Sequence, residues 1–331
     1  IQTYILTFTP SKMNVDQLTF IQIPGNYGNL KLLFFLTKFI SNYFTHARVL
    51  ILRQAVYSPL FWLYFRKRRF KLITELHSKL FHELRSVKKN VGVYWLQRLS
   101  YKLCQSVIDG KISVTKEIAA YDNQLGYDGP IQCIPNGVEV AQTQCGFKPF
   151  NGRVLSIIFV GSLLRPWHGL DRFLSGLERY SGSVQFELSI VGNIHRSVLH
   201  GYSLSEHKIQ FHGAQKGDSL DRLYKNSTIA IGSLALHRMN LTEAASLKTR
   251  EYLSKGVPFI YAYQDADFDD VLFGLKFLNN DDPINMMRVI EFADYVTSKS
   301  SDIKKGMKDL SERVLSWDIK MQEYLSFCDR I

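Results

Sequence analysis

Two carboxylates, Glu243 and Glu251, have seven residues between them in the run Glu243-Ala244-Ala245-Ser246-Leu247-Lys248-Thr249-Arg250-Glu251, which Gly256-Val257-Pro258 closes. A helix beginning near Ser246 would leave Glu243 in the preceding loop and carry Glu251 about two turns inside. The first amides of that helix, those of Leu247, Lys248 and Thr249, would have no intrahelical acceptor and would face whatever lies between the carboxylates. Such a site suits a diphosphate held by the amides and Lys248, with a carboxylate accepting sugar hydroxyls on either side. An ordinary charged helix with incidental Glu residues explains the spacing alone at least as well.

Three apolar runs end in glycine corners of the same kind. Phe159-Val160-Gly161 leads through Ser162 and Arg165 to Trp167-His168-Gly169-Leu170-Asp171, which opens a helix; Leu188-Ser189-Ile190-Val191 ends at Gly192 and Asn193; Ile209-Gln210-Phe211-His212 ends at Gly213. Ligands of open α/β sheets collect along the carboxyl edge of the strands, where a glycine lets backbone amides approach an anion. Each corner taken singly is also what any α/β turn looks like.

The elements that must position these residues follow from alternating short apolar runs and longer amphipathic ones, a pattern of βα units with parallel sheets. Strands are expected at 2–8, 18–23, 49–52, 72–74 and 107–114, with helices at 30–44, 59–66, 94–105 and 116–123. The pattern then restarts, with strands at 154–160, 186–191, 208–212, 229–232 and 258–262. Helices are expected at 170–180, up to Lys255 with Gly256 as C-cap, at 283–296 and at 317–328. The stretch 141–152, holding Pro149 and Gly152, reads as a linker. Two domains suit 331 residues: 1–145, 146–316, and a closing helix 317–331.

The order of these features resembles the retaining GT-B glycosyltransferases of carbohydrate family four, over roughly 45–331 and most strongly over 134–262. Ile134-Pro135-Asn136-Gly137-Val138 is similar to that family's entry to its interdomain segment, and the Glu-seven-Glu run with Gly256-Val257-Pro258 is its most diagnostic stretch. The resemblance implies two Rossmann-like domains whose parallel sheets face across a cleft, with the closing helix crossing back to the first domain. It also implies transfer of a sugar, with anomeric retention, from a nucleotide diphosphate sugar to a glycan or lipid-linked acceptor in cell-surface polysaccharide biosynthesis, without metal or cofactor. Glu251 would accept from the ribose hydroxyls and Glu243 would contact the transferred sugar. Leu247, Lys248, Thr249, Gly161, Ser162, Arg165, His168, Gly192, Asn193 and Gly213 would line the donor. On the acceptor side, Thr74-Glu75-Leu76-His77 resembles a family segment, and His77 would contact the reacting sugar, with Glu83 and Arg53 as lesser candidates.

Two departures stand out. Many members carry Arg after the first glycine and Lys before the second, where this chain has Ser162 and His168. Arg165 and Lys248 would then supply the charge. The family's opening strand and glycine-rich loop are also not visible before Ile1. A non-catalytic sugar-nucleotide-binding protein and a nucleotide-sugar epimerase share the architecture and remain as alternatives.

Asp265-Ala266-Asp267-Phe268-Asp269-Asp270 holds two DxD patterns, which bind Mg²⁺ or Mn²⁺ in the other transferase architecture. Following the strand after the Glu-seven-Glu helix, it reads here as a solvated acidic loop. Cys104, Cys133, Cys145 and Cys328 are scattered without a CxxC pair, which disfavours zinc and a disulfide framework and fits a reducing, cytoplasmic setting.

Charge is lopsided: residues 1–150 hold 19 Lys+Arg against 8 Asp+Glu, and the rest balance at 22 each. The densest run, Arg66-Lys67-Arg68-Arg69 with Lys71, reads as a solvated helix end or as an attractor for an anionic membrane surface. Phe61, Trp62, Tyr64 and Phe65 beside it are expected mostly in the core. No finger, helix-turn-helix or aromatic-interleaved basic motif supports nucleic acid as a partner. No apolar run reaches the ~20 residues a spanning helix needs.

Overall fold

The computed structural model describes residues 3–7, 18–22, 48–53, 57–86, 91–141 and 144–331. They divide into two compact units, Ile1–Ile134 with Glu323–Ile331, and Pro135–Gln322. The helix expected at 30–44 lies outside the described residues.

In the first unit, strands β1 (Thr3–Thr7), β2 (Leu18–Gln22), β3 (Val49–Arg53), β4 (Lys71–Leu76), β5 (Gly110–Ser113) and β6 (Ile131–Cys133) form one parallel sheet in the order β2-β1-β3-β4-β5-β6. Between the strands run α1 (Pro59–Phe65), α2 (Leu80–Ser86), α3 (Val91–Gln105) and α4 (Lys116–Gln124). Ser58 and Thr115 start α1 and α4 by accepting the amides of Phe61 and Ile118. The strand expected from Val107 begins only at Gly110. Val107 and Ile108 instead close turns onto Cys104 and Gln105, and the Asp109 carboxylate takes the Leu72 amide at 2.7 Å and Arg68 at 2.5 Å. Phe61 and Phe65 are buried, as their apolar spacing requires.

In the second unit, β7 (Val154–Val160), β8 (Gln185–Val191), β9 (Lys208–Phe211), β10 (Ile229–Ile231), β11 (Glu243–Ala244), β12 (Phe259–Tyr261), β13 (Gln264–Asp265) and β14 (Gly274–Lys276) are the strands. Six make a parallel sheet ordered β14-β12-β10-β7-β8-β9; β11 and β13 pair separately. The chain winds outward from β7 through β8 and β9, then returns to the other side of β7 with β10. That order is the doubly wound one, and the crevice at the carboxyl ends of β7 and β10 is its switch point. β7 reads Val-Leu-Ser-Ile-Ile-Phe-Val, with Leu155 to Phe159 all buried, because helices cover both faces of a parallel sheet.

Those helices are α5 (Leu170–Glu178), α6 (Asp218–Lys225), α7 (Leu247–Lys255), α8 (Met286–Ser298) and α9 (Ser300–Leu310). Gly256 ends α7 in the left-handed region at φ 76°, as a C-cap should. The final helix, α10 (Trp317–Arg330), begins in the second unit and ends in the first. The stretch after Ala141 is packed on the second unit: Phe147 and Phe150 enter its core, and the Gly146 and Lys148 amides donate to Lys255 and Ser227. All four cysteines are free thiols. Among the described residues, no helix is long and apolar enough to cross a membrane.

Candidate functional site

The three glycine corners meet at the carboxyl edge of the second sheet. The Gly161 amide donates to Val191 at 3.0 Å, Gly192 to Gly213 at 2.7 Å, and Asn193 to Ser162 at 3.1 Å. The corners after β7, β8 and β9 are therefore stitched side by side. Gly192 permits this: at φ 128° it is in a region L-residues avoid, and a Cβ there would fall 1.7 Å from the Gly161 carbonyl oxygen. Gly161 and Gly192 are buried, while Ser162, Asn193 and Gly213 are exposed.

α7 begins at the same edge. Its N-cap, Ser246, has extended backbone but no side-chain capping bond. The first helical bond is Arg250 to the Ser246 carbonyl at 3.2 Å. The Leu247, Lys248 and Thr249 amides are thus left without an acceptor among the described residues, at the positive end of the helix dipole. The Thr249 hydroxyl turns back to the Ser246 carbonyl and to Tyr263, both at 2.9 Å.

The Lys248 ammonium folds down toward β7. Its Nζ lies 4.2 Å from the centre of the Phe159 ring, and only 3.5 Å from where a Cβ on Gly161 would stand. The atom is buried and has no hydrogen-bond partner. Desolvation pushes its pKa down to about 7. A buried cation without a counter-charge is costly unless an anion completes it.

His168 sits beside it in a one-turn 3-10 helix, Pro166–His168, just before α5. Its Nδ1 accepts the Arg165 amide at 3.3 Å, so the neutral ring carries its proton on Nε2. Burial, then Lys248 and Arg165, push its pKa down to about 3. His168 thus provides a neutral donor, not a second positive charge. Arg165 is exposed, its guanidinium 5.9 Å from the Trp167 ring centre.

Glu251 lies half-buried further along α7, beside the buried Tyr224, and burial raises its pKa above the usual carboxylate range. Glu243 is not in a loop: it is the first residue of β11, paired in register with Gln264 of β13. The turn between β11 and α7 is pinned from the segment before the second unit's sheet, where the Asn136 side chain donates to the Ala245 carbonyl at 2.7 Å.

The acidic loop departs most from expectation. Asp265 and Asp267 are not solvated. Arg250, fully buried, makes a bidentate pair with Asp265 at 2.5 and 2.8 Å and reaches Asp267 at 2.6 Å. Lys320 of α10 takes the other Asp267 oxygen at 2.6 Å. Asp265 and Asp267 are therefore committed to cations of the protein itself, while Asp269 and Asp270 are exposed. Among the described residues no group of three or more His, Cys, Asp or Glu could hold a metal. Sequence reading passed over Arg250, because nothing in its spacing marks it as the partner of a loop fifteen residues on.

In the first unit, His77 follows β4 and its Nε2 lies 3.0 Å from Glu75. Burial raises the Glu75 pKa, but hydrogen bonds from His77 and from Tyr324 (2.8 Å), with the Arg53 charge, outweigh it and hold the carboxyl below the usual range. An ionised Glu75 fixes Nε2 as the donor and leaves Nδ1 as an acceptor. Sequence reading picked out His77 but not the carboxylate that orients it. The Glu83 side chain lies outside what the structure describes.

This architecture, two Rossmann-like domains with parallel sheets, is the GT-B fold, and solved structures with that fold superpose on nearly the whole chain. The sucrose-phosphate synthase of Thermosynechococcus elongatus matches with a TM-score of 0.69 at 12% identity, over 96% of this chain and 84% of that one. Anabaena HepE, solved in complex with UDP-glucose, matches with a TM-score of 0.68 at 12% identity, over 100% of both chains. The lipopolysaccharide outer core galactosyltransferase WaaB matches with a TM-score of 0.60 at 14% identity, over 93% of this chain and 83% of that one. No family model matches the chain, and no curated protein does.

Proposed function

We propose that this protein is a glycosyltransferase that moves a hexose-like unit from a nucleotide diphosphate sugar to a glycan or lipid-linked acceptor, with retention at the anomeric carbon and without a metal ion. The observation that carries this reading is the buried, partnerless Lys248 ammonium, set beside uncapped helix amides and the Gly161 corner at the switch point of a doubly wound sheet. A diphosphate is the ligand that answers all three at once.

In this reading the Leu247, Lys248 and Thr249 amides, the Lys248 ammonium and the His168 Nε2–H hold the diphosphate. Gly161, Gly192 and Gly213 let the backbone come close, with Ser162, Asn193 and Arg165 at the rim. Glu251, desolvated beside Tyr224, accepts the ribose hydroxyls, and Glu243 contacts the transferred sugar. In the first unit the Glu75–His77 pair is the acceptor-side candidate. The bond from the anomeric carbon to the diphosphate oxygen breaks, and the acceptor oxygen bonds to that carbon on the same face. The proton of the acceptor hydroxyl passes to the departing diphosphate. Lys248 and the helix amides stabilise charge building on that leaving group, which metal ions do in other transferases. The solved relatives in fold that hold UDP or UDP-glucose, and the commitment of Asp265 and Asp267 to Arg250 and Lys320, support this reading.

The test is a thermal-shift screen against a panel of nucleotide sugars and free nucleoside diphosphates, run on the wild-type chain and on Glu251→Ala. At least one nucleotide should raise Tm, and Glu251→Ala should weaken it by at least about tenfold, the loss of one charge-assisted hydrogen bond. If no nucleotide shifts the wild type, or if the variant binds as tightly, the donor site has been misassigned.

A further inference from the structure

The first unit carries an apolar surface that its own core does not use. α3 buries Gln97, Ser100, Tyr101 and Cys104 on one face, while Val91, Trp95, Leu96, Leu99 and Leu103 are exposed by 70, 55, 49, 75 and 40%. At 100° per residue those five side chains fall within an arc of about 140°, one continuous stripe. Arg98 flanks one border of it and Lys102 lies just inside that border, both exposed. α1 packs against α3 and adds Leu60 and Leu63, exposed by 46 and 49%. Single exposed apolar side chains are ordinary, but a stripe of seven on two packed helices marks a surface that something covers.

The charge around the stripe says what. Arg66, Lys67 and Arg69 follow α1 in the chain and are exposed, with Arg66 stacked 5.0 Å over Trp62. Among the described residues no carboxylate pairs with these three or with Arg98 or Lys102. Arg68 belongs to the fold instead, through Asp109. Residues 51–100 hold 11 Lys+Arg against 2 Asp+Glu. A second copy of this chain seated on the stripe would bring like charges together. An anionic bilayer supplies both an apolar interior for the leucines and headgroup charge for the basic rim.

We propose that the outer faces of α1 and α3 are a docking surface for an anionic lipid membrane, with Trp95, Leu99 and Leu103 entering the acyl boundary and Arg98, Lys102 and Arg66 meeting the headgroups. The inference stands apart from the transferase reading, since vesicle binding needs neither donor nor acceptor.

The full chain is tested by co-sedimentation with phosphatidylcholine vesicles of rising phosphatidylglycerol content. Binding rises with the anionic fraction and falls at high salt. Leu99→Asp lowers the partition coefficient by about tenfold or more, and Arg98→Gln or Lys102→Gln by about fivefold each. Leu99→Asp keeps the wild-type Tm, because the side chain is already in water. Trp95 fluorescence shifts to the blue on vesicles, and Trp95→Phe loses that shift while still binding. No binding to anionic vesicles, equal binding to neutral ones, or undiminished binding by Leu99→Asp overturns the proposal. So does a concentration-dependent dimer that Leu99→Asp dissolves, which would give the face to a second copy.

Discussion

At the scale of single residues, the proposed donor site turns on the protonation of Lys248. Its pKa near 7 lies below that of an ordinary lysine, because the ammonium is desolvated and unanswered. The unfolded chain therefore binds more protons than the folded one between pH about 7 and about 10, and ligand-free stability rises with pH across that window, by at most about 1.4 kcal/mol per pH unit. Below pH about 7 both states are protonated and the full burial penalty applies. Lys248→Met should accordingly be more stable than wild type at neutral and lower pH, with the gap closing as pH rises toward 10. The same variant should lose donor binding, since the diphosphate loses its one buried cation. Above pH about 7, diphosphate binding should draw a proton onto Lys248, so calorimetric heats should differ between buffers of unlike ionisation enthalpy. His168, held neutral far below this range, does not contribute. Heats that agree across buffers, or a variant with the wild-type pH profile, would remove Lys248 from this role.

At the scale of elements, α7 serves two sides at once. Its first turn offers amides and Lys248 to the sheet edge. Arg250, one turn on, ties the helix to the acidic loop and, through Asp267, to Lys320 of α10. Breaking a buried ion pair leaves an uncompensated charge, so Arg250→Met should cost about 3–5 kcal/mol in urea unfolding, and Arg250→Met with Asp265→Leu should recover much of it. Turnover should persist in excess EDTA. Loss of turnover in chelator, restored by Mn²⁺ and abolished in Asp267→Ala, would return the loop to metal binding.

How much of this could be read in advance differs by element. The strands ending at Gly161 and Gly192 and the helix closed by Gly256 were legible, because apolar runs and glycine caps are local signals. The Arg250–Asp265 pair was not, since a DxD pattern looks the same whether its carboxylates meet water, a metal or a buried guanidinium. The helix at 94–105 was legible as a helix, but its two apolar sets are not told apart by periodicity: Tyr101 and Cys104 turn inward with Gln97 and Ser100, and Trp95, Leu96, Leu99 and Leu103 turn outward.

At the scale of the whole molecule, each unit has its own buried core, and α10 begins in the second unit and ends in the first. Lys320 pairs with Asp267 in the second unit, whereas Tyr324 donates to Glu75 at 2.8 Å and Phe327 is buried against Gly110 in the first. Separate cores favour separate unfolding events, so calorimetry should resolve two transitions. A donor nucleotide at about a hundred times its Kd stabilises the unit that binds it by about 2.7 kcal/mol, a rise of about 5–10 °C for a domain of this size. Only the second unit's transition should move. Tyr324→Phe acts on the other, because it strips a hydrogen bond from the buried Glu75 carboxylate at a cost of about 1–3 kcal/mol. Glu75 titrates below the usual range when folded, so the stability it contributes is present above its unfolded pKa and is lost as pH falls through the folded one. The first unit's transition should therefore drop in acid, and Tyr324→Phe should lose part of that dependence. One transition that moves as a whole with both perturbations would mean the two cores melt as one, and the donor's effect could no longer be assigned to the second unit.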